Sequence, residues 1–304
     1  FKVKAEDTYG YITISTLPVT YKTIPGPSLT LTESTIFAGT DAKKGVSMQI
    51  ESVRGVHEVV IYRIENGSEV EALLETRSGD HTLNYAPEID FTEATSKLKV
   101  VVSDGREGKE ATGYVKAYVN MDVATLNVGS QPLANNAHVK YPDAFGMVSL
   151  NDLKTYSVDY AIANEVNAKN VDFKFYCFGA AGSPRLYSMD NTGKDSEFSG
   201  STGKLSAIKV KNLTRFAILS NFDYENATVT SISSEILSSS ITQSLLDPIA
   251  VGNVIAFRTG GSSAAGGGRI GVMKVINITE PKDLVSSNAT ARVMTVEIKF
   301  PQKK

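Results

Sequence analysis

The chain has 304 residues, with 31 lysines and arginines against 33 aspartates and glutamates, so its net charge at neutral pH is −2. This balance excludes a strong general attraction to nucleic acid or to an acidic membrane surface, both of which need clustered positive charge. Hydrophobic residues make up 41% of the chain, enough to fill sizeable cores, and the length is typical of about two domains.

The chain begins with a predicted β-hairpin that resembles a later part of the same sequence. Residues 1–10 align with residues 98–108, and both segments combine a strand, a turn containing Asp and Gly, and a second strand. The offset of about 97 residues is the size of one immunoglobulin-like (Ig-like) sandwich. We interpret residues 1–25 as the last hairpin of a preceding Ig-like domain plus a linker. The alternative is a chance similarity between two common hairpins.

Residues 26–121 are predicted to form a complete Ig-like β-sandwich. The segment Pro25-Gly26-Pro27 marks its beginning, because proline fixes its own backbone and resists sheet pairing. Apolar runs such as residues 59–64 and 114–119 are rich in the residue types that favour strands. After the first of these runs, Asn66-Gly67 is typical of a tight hairpin turn, since both residues tolerate a positive φ.

Residues 122–304 are predicted to form a larger β-rich domain. The predicted fold class of the whole chain is therefore all-β, with an Ig-like sandwich followed by a larger β-sandwich-like domain. Helix patterns are sparse in this part. Residues 149–153 suit a single turn, and residues 234–246 mix helical and strand spacings, which indicates a short helix or an irregular segment.

Two loops of the second domain are candidates for ligand contact. Residues 179–203 are predicted as a long polar loop, and residues 260–268 as a Gly-rich one. In and beside these loops, the rings of Tyr and Phe offer contact area and the polar side chains offer orientation. Alternatively, the aromatic side chains pack back onto the core, and the absence of Trp counts against a strong carbohydrate module. The candidate ligand-binding residues are Arg185, Tyr187, Asp190, Asn191, Phe198 and Arg269.

No catalytic arrangement stands out, so we expect a non-enzymatic protein without a cofactor. Residues 266–271 match G-x-G-x-x-G, but a strand rather than a helix is predicted to follow, which indicates a hairpin loop instead of a dinucleotide site. The three histidines, His57, His81 and His138, lack the spacing of zinc ligands. Three acids of the 179–203 loop are interpreted as solvated side chains rather than as a glycosidase pair. They are Asp190, Asp195 and Glu197.

Cysteine and turn residues add three further expectations. Cys177 is the only cysteine, which excludes an intramolecular disulfide, and we expect it to be a buried apolar residue. Asp7 and Asp104 occupy equivalent predicted turns, where each is expected to accept backbone hydrogen bonds. A calcium site at Asp104 and Glu107 remains as an alternative, although calcium needs six to eight oxygen ligands.

Several segments resemble bacterial surface proteins. Residues 45–62 and 98–108 resemble the Ig-like repeats of such proteins, with a strand, a G-V-x-x-V turn and a second strand in the first segment. The larger domain is similar to uncharacterised surface lipoproteins of Bacteroidetes, and together the two resemblances cover most of the chain. The similar segments of the larger domain are residues 171–176, 183–188, 212–216, 251–259 and 268–275.

The resemblance implies a location and no active site. It places the protein outside the cytoplasm, at the outer-membrane surface or in the periplasm, held through a lipid anchor outside this sequence and often near glycan-uptake systems. We therefore expect a non-enzymatic cell-surface binding or spacer protein whose partner is a glycan or another envelope protein. Two alternatives are a structural adhesin or assembly subunit, and a hydrolase with a site assembled from dispersed residues.

Overall fold

The computed structural model describes residues 2–16, 18, 22–177, 182–279 and 291–303. Strands dominate these residues and the α-helices are short, which confirms the predicted all-β fold class. None of the described helices has the length and apolar character that crossing a membrane would require.

The first element is a two-stranded hairpin made of β1 (Lys2–Glu6) and β2 (Ile12–Thr16). The two strands pair antiparallel, every residue in them is exposed, and neither pairs with another described strand. At the turn, the Asp7 carboxylate accepts hydrogen bonds from the backbone N–H groups of Tyr9 and Tyr11, at 2.9 Å each. The predicted Asx-type turn is therefore confirmed at Asp7.

The next eight strands form the Ig-like sandwich. They are β3 (Ser28–Leu31), β4 (Thr35–Ala38), β5 (Lys44–Gly45), β6 (Met48–Glu65), β7 (Ser68–Tyr85), β8 (Glu88–Ile89), β9 (Thr95–Ser103) and β10 (Glu110–Val119). Strand order is β3-β6-β9-β10-β4, with β7 beside β6 and a separate β5–β8 pair. The pairs are antiparallel except that β4 runs parallel to β10. Edge strand β4 thus closes one side of the sandwich.

The long hairpin of β6 and β7 contributes to both layers of this sandwich. Residues 48–51 of β6 pair with β3, whereas residues 58–65 pair with β9. The bend between them is at Gly55, whose φ is +86° and whose Cβ position would lie only 2.8 Å from the backbone of Gly79. The bend requires glycine there, because a side chain would collide with the opposite strand.

The Asn66-Gly67 turn joins β6 to β7 as predicted. Both residues have positive φ, at 50° and 82°, which is the geometry of a type I′ turn. Inside the sandwich, apolar residues of alternating positions form one core, and at Gly113 a Cβ would lie 2.7 Å from the Leu31 side chain of the facing layer. Local turn chemistry and alternation therefore set this domain's register.

The second sandwich has two five-stranded antiparallel sheets. Its strands are β11 (Met121–Gly129), β12 (Met147–Ser149), β13 (Lys154–Tyr156), β14 (Phe173–Tyr176), β15 (Arg185–Ser188), β16 (Arg215–Leu219), β17 (Leu245–Leu246), β18 (Val254–Arg258), β19 (Ile270–Ile278) and β20 (Val293–Pro301). One sheet has the order β11-β20-β19-β18-β16 and the other β13-β12-β14-β15-β17. Their inner faces share one core, in which Phe173 meets Phe216 edge to face at 5.7 Å. Cys177 is buried in this core, as predicted.

Short helices cover the outer faces of these sheets. They are α1 (Val158–Ala163), α2 (Glu165–Lys169) and α3 (Val229–Glu235), and each begins at a side-chain cap, Ser157, Asn164 and Thr228 respectively. Helix α3 ends within the segment predicted as helical or irregular. Residues 238–240 then form a 3-10 turn and residues 245–246 a strand, so the mixed periodicity reflects a real change of structure.

Candidate functional site

The predicted loop at residues 179–203 contains regular structure, and its two aromatic side chains are buried. Tyr187 lies in β15 and is 4% exposed, while Phe198 is fully buried. Both pack against Tyr176, with ring centroids 5.9 and 6.3 Å away. The prediction that they present rings to a ligand is therefore wrong, because the outer face of β15 is itself covered by another apolar layer.

The polar candidates of this segment are engaged by neighbouring side chains. The guanidinium of Arg215 donates two hydrogen bonds to the Asp190 carboxylate, at 2.9 and 2.8 Å. Burial opposes ionisation of Asp190, but hydrogen bonds from Arg215 and Ser188 outweigh it and lower the pKa of this carboxyl group. A bidentate pair of this kind fixes the segment in place.

Arg185 and Asn191 also serve the fold. Arg185 forms an ion pair with Asp247 at 2.9 Å, and the Asn191 amide donates to Ser244 Oγ at 3.1 Å. Both partners belong to the segment around β17, so these contacts tie β15 to its neighbour. The structure does not gather the five candidates of this segment around an open site.

Asp195 and Glu197 are not the solvated acids that the sequence indicated. Asp195 is 3% exposed and pairs with the ammonium group of Lys174 at 2.7 Å. The Glu197 carboxylate accepts hydrogen bonds from the Tyr176 hydroxyl at 2.6 Å and from Lys194 at 2.7 Å. Each acid has its own partners, which is the arrangement of structural ion pairs rather than of a catalytic dyad.

The Gly-rich segment at residues 260–268 joins β18 to β19 and is anchored by a buried acid. Asp172 accepts hydrogen bonds from Ser263 Oγ at 2.6 Å and from the backbone N–H of Leu150 at 2.8 Å. Burial raises the pKa of Asp172 to about 6. Because strand β19 follows this segment directly, the hairpin interpretation of the G-x-G-x-x-G match is confirmed.

A groove lies at the junction of the two sandwiches, and the Gly-rich segment forms one of its walls. Its volume is about 650 Å³. The other walls come from helix α3, from the end of β20 and from Glu93 and Asn120 of the Ig-like domain. Apolar contact surface at this end of the groove comes from Val229, Ile270 and Pro301, whereas Ile232 is only 1% exposed.

The groove continues into a second, polar cavity of about 510 Å³. Glu93, Asn120, Gln302 and Lys303 line both cavities, and residues 39–41 of the Ig-like domain complete the second one. The combined groove is therefore elongated, with an apolar end and a polar end. No aromatic side chain is among its described lining residues.

Arg269 is the one sequence candidate that lies in this groove. Its guanidinium donates a hydrogen bond to the Ala265 carbonyl at 2.6 Å and another to the Pro301 carbonyl, and it stacks 4.0 Å from the Phe300 ring centre. Desolvation by burial lowers the pKa of Arg269. The side chain braces the Gly-rich wall against β20, so it is a positioning residue with its polar groups already engaged.

The junction itself is held by hydrogen bonds that converge on Asn120. This residue is the single link between β10 and β11, and its φ is +50°. Its side-chain amide donates to Thr40 Oγ1 at 3.1 Å and to Glu93 Oε1 at 3.0 Å. Its carbonyl accepts from the backbone N–H of Gln302 at 2.7 Å.

The two domains also share buried side chains at the junction. Tyr118 of β10 belongs to one apolar cluster with Met121, Tyr224 and Ile232 of the second domain. Lys299 is fully buried beside them, with its ammonium group 5.3 Å from the Tyr118 ring centre and 4.3 Å from that of Tyr224. Burial lowers the pKa of Lys299 to about 8.

At the predicted alternative calcium site, Asp104 and Glu107, the Asp104 carboxylate is already bound by another residue of the turn. The Arg106 guanidinium is hydrogen-bonded to the Asp104 carboxylate, and these bonds lower the pKa of Asp104. The backbone N–H of Arg106 also donates to Asp104 at 3.2 Å, which is the predicted Asx-type contact. Within the described part of the chain, no group of three or more His, Cys, Asp or Glu side chains is placed to hold a metal ion.

No protein-family model matches the chain, and no curated protein is significantly similar to it. Apart from Arg269 and the Gly-rich segment, the groove residues were not predicted from the sequence, because they come from six separate segments of the chain. A further indication was Asn120, which lies next to the predicted boundary between the domains.

Proposed function

We propose that this chain is a non-enzymatic binding protein in which the Ig-like sandwich holds the second sandwich at a fixed angle. The groove at their junction binds an extended segment of a protein partner. The observation that carries this proposal is the construction of the groove from both domains, across a junction fixed by hydrogen bonds and a shared apolar cluster. Ligand sites occur preferentially at such domain interfaces.

Binding rather than catalysis suits the charged groups at the groove. The Glu93 carboxylate accepts a hydrogen bond from Asn120, and the Arg269 guanidinium is engaged by backbone carbonyls and an aromatic ring. Groups held in this way form a preorganised surface. A rigid wall of this kind lowers the entropic cost of binding.

An extended protein segment suits the shape and lining of the groove. The apolar end can bury one or two aliphatic side chains, and the polar end can pair with backbone N–H and C=O groups. Sugar rings are held chiefly by stacking on aromatic side chains, which are absent from the described groove lining. The groove therefore favours the protein partner over the glycan partner among the two expected from the sequence.

Two adjacent serines on α3 allow a matched test. Ser233 lines the groove and Ser234 does not, and both are exposed. We expect a displayed library of random peptides to yield sequences that bind the wild-type protein. Ser233→Trp should weaken their binding at least tenfold by filling the groove, while Ser234→Trp should leave it unchanged. Failure to enrich any peptide, or equal binding by the two variants, would contradict the proposal.

The alternative of an assembly subunit that pairs through strand edges has weaker support. Strand β7 has one edge that pairs with no described strand. That strand carries Glu69, Glu71, Glu75, Arg77 and Asp80, and charged side chains of this kind are typical of protected edges. A location outside the cytoplasm is part of our proposal and rests on the sequence resemblance. Cell fractionation with an antibody to this chain would test it.

A further inference from the structure

The outer face of the main Ig-like sheet carries a row of two tyrosines and a lysine. Tyr62 of β6 lies opposite Lys99 of β9, which in turn lies opposite Tyr114 of β10. Directly opposed residues of antiparallel strands point to the same side of a sheet. The core residue Val100 points to the other side, so this row, which we term the tyrosine row, faces away from the sandwich core.

The tyrosine row is open and spans two strand spacings. Tyr114 is 57% exposed and Tyr62 is half-buried. With neighbouring strands about 4.8 Å apart, the two tyrosines stand about 10 Å apart on the sheet. Lys99 is 5.6 Å from the Tyr62 ring centre, and Lys97 of the next row is 5.6 Å from that of Tyr114.

We propose that the tyrosine row binds a neutral, extended polysaccharide laid across the strands. Tyrosine rings stack on the apolar faces of sugars, and their hydroxyl groups can both donate and accept hydrogen bonds, as sugar hydroxyls do. Glutamates beside the row add acceptors and lysines add donors. This site lies on the Ig-like domain and is independent of the junction groove.

The charges on this face favour a neutral ligand over an anionic one. Lys99 is paired with Glu69 at 2.8 Å, and Lys116 with Glu225 at 3.7 Å. Glu71 lies opposite Tyr62 on the next strand. Acids and bases alternate along the face instead of forming the positive cluster that attracts a polyanion.

The composition of the face also favours a glycan over a protein. The buried centres of protein interfaces are depleted in lysine and glutamate, whereas here both residue types surround the two rings. Small molecules need a concave site, and the tyrosine row stands on the outer face of a sheet. A neutral polysaccharide matches these features, because its successive sugar rings can stack on the two separated tyrosine rings and its hydroxyl groups can bond to the surrounding charged side chains.

A glycan array of neutral hexose and pentose polymers, with acidic polymers alongside, tests this proposal. We expect the wild-type protein to bind at least one neutral polymer, with little dependence on salt. Tyr114→Ala should weaken that binding about tenfold, and Tyr62→Ala should weaken it as well. The exposed hairpin tyrosine provides a control, because Tyr9→Ala removes an even more accessible ring elsewhere.

Three results would overturn the proposal. They are the absence of binding to every neutral polymer, equal binding by wild type and Tyr114→Ala, and binding only to acidic polymers that salt abolishes. Ser233→Trp should leave glycan binding intact, so a failure of the groove proposal and a failure of this one can be told apart. Because Tyr114 is exposed, its removal should leave the thermal unfolding midpoint nearly unchanged.

Discussion

The chain has two junctions, and they are built in opposite ways. Between the first hairpin and the Ig-like sandwich, Pro25 and its neighbours form a linker whose carbonyl groups are held by Arg106. Between the two sandwiches, one residue, Asn120, links the strands, and buried side chains from both sides pack together. From this comparison we infer that shared burial, together with a short connection, fixes one domain against another.

The hairpins β1–β2 and β9–β10 also differ in their contacts with the rest of the chain, although their turns are alike. The β1–β2 turn and the β9–β10 turn both use an aspartate that accepts backbone hydrogen bonds. Yet β1 and β2 are exposed on both faces, whereas Leu98, Val100 and Val102 of β9 are fully buried. Turn chemistry can thus form a hairpin, but packing against other strands supplies most of its stability.

Removing Tyr118 should break the packed junction most severely. Tyr118 is 6% exposed, within the cluster that both domains share. We expect Tyr118→Ala to lower the free energy of unfolding by about 3–5 kcal/mol, because it leaves a cavity the size of an aromatic ring. Chemical denaturation measures this change. Tyr114→Ala, on the same face of the same strand but exposed, should cost less than about 0.5 kcal/mol.

The buried Lys299 should make the junction sensitive to alkaline pH. Its pKa is about 8 in the folded protein against 10.5 for the unperturbed side chain, so the unfolded chain binds more protons between these values. Stability due to this group therefore rises as the pH increases from 8 to 10.5. We expect the wild type to gain about 2–3 kcal/mol relative to Lys299→Met over this range.

Denaturation of both proteins at several pH values measures that difference. At pH 7 the methionine variant should lie within about 1 kcal/mol of the wild type, since replacing a buried charge by an apolar group of similar size is often neutral. A difference between the two proteins that stays constant from pH 7 to pH 10.5 would show that Lys299 has an ordinary pKa.

Two substitutions of Asn120 separate the contributions of its backbone conformation and of its side chain to the free energy of unfolding. Asn120→Ala removes the hydrogen bonds to Thr40 and Glu93 and places a less tolerant residue at φ +50°. We expect a loss of about 2 kcal/mol in the free energy of unfolding. Asn120→Gly keeps the backbone conformation accessible, so it should lose only about half as much. Equal losses would mean that the backbone conformation contributes nothing.

At the linker, the smallest effect is expected. Arg106 donates hydrogen bonds to the carbonyl groups of Ile24 and Pro25, and this contact is exposed to solvent. Arg106→Lys keeps a positive charge beside the Asp104 carboxylate but removes the forked guanidinium that reaches both carbonyl groups, so it should shift the thermal unfolding midpoint by less than about 2 °C. If the midpoint shifted as much as it does for Asn120→Ala, the two junctions would not differ in the way proposed here.

Sequence reasoning succeeded where the cause is local. The Asn66-Gly67 turn depends on the backbone freedom of those two residues, and the Asp7 turn on a carboxylate two residues from its partner. The alternation of buried and exposed residues along the strands of the Ig-like core also follows from short-range sequence pattern. These features could be predicted because no distant contact decides them.

The candidate site could not be predicted in the same way. Tyr187 and Phe198 stand in a polar segment, and only the apolar layer over the second sheet shows that both are buried. The groove brings Glu93 and Asn120 beside Arg269 and Gln302, which are far apart in the sequence. Such an arrangement depends on the docking of whole domains, for which a single sequence carries no periodic pattern.

A distance measurement across the junction tests the central claim that the two sandwiches form one rigid unit. Val53 of the Ig-like domain and Val166 of the second domain are both well exposed and can be replaced by cysteine for spin labelling, while the native Cys177 is buried. A second pair of labels, at Val166 and Val251, lies within one domain and gives the width of the distance distribution expected for a rigid unit. We predict a single distance distribution across the junction, as narrow as the reference. A broad or multiple distribution would contradict the rigid junction, and with it the preformed groove.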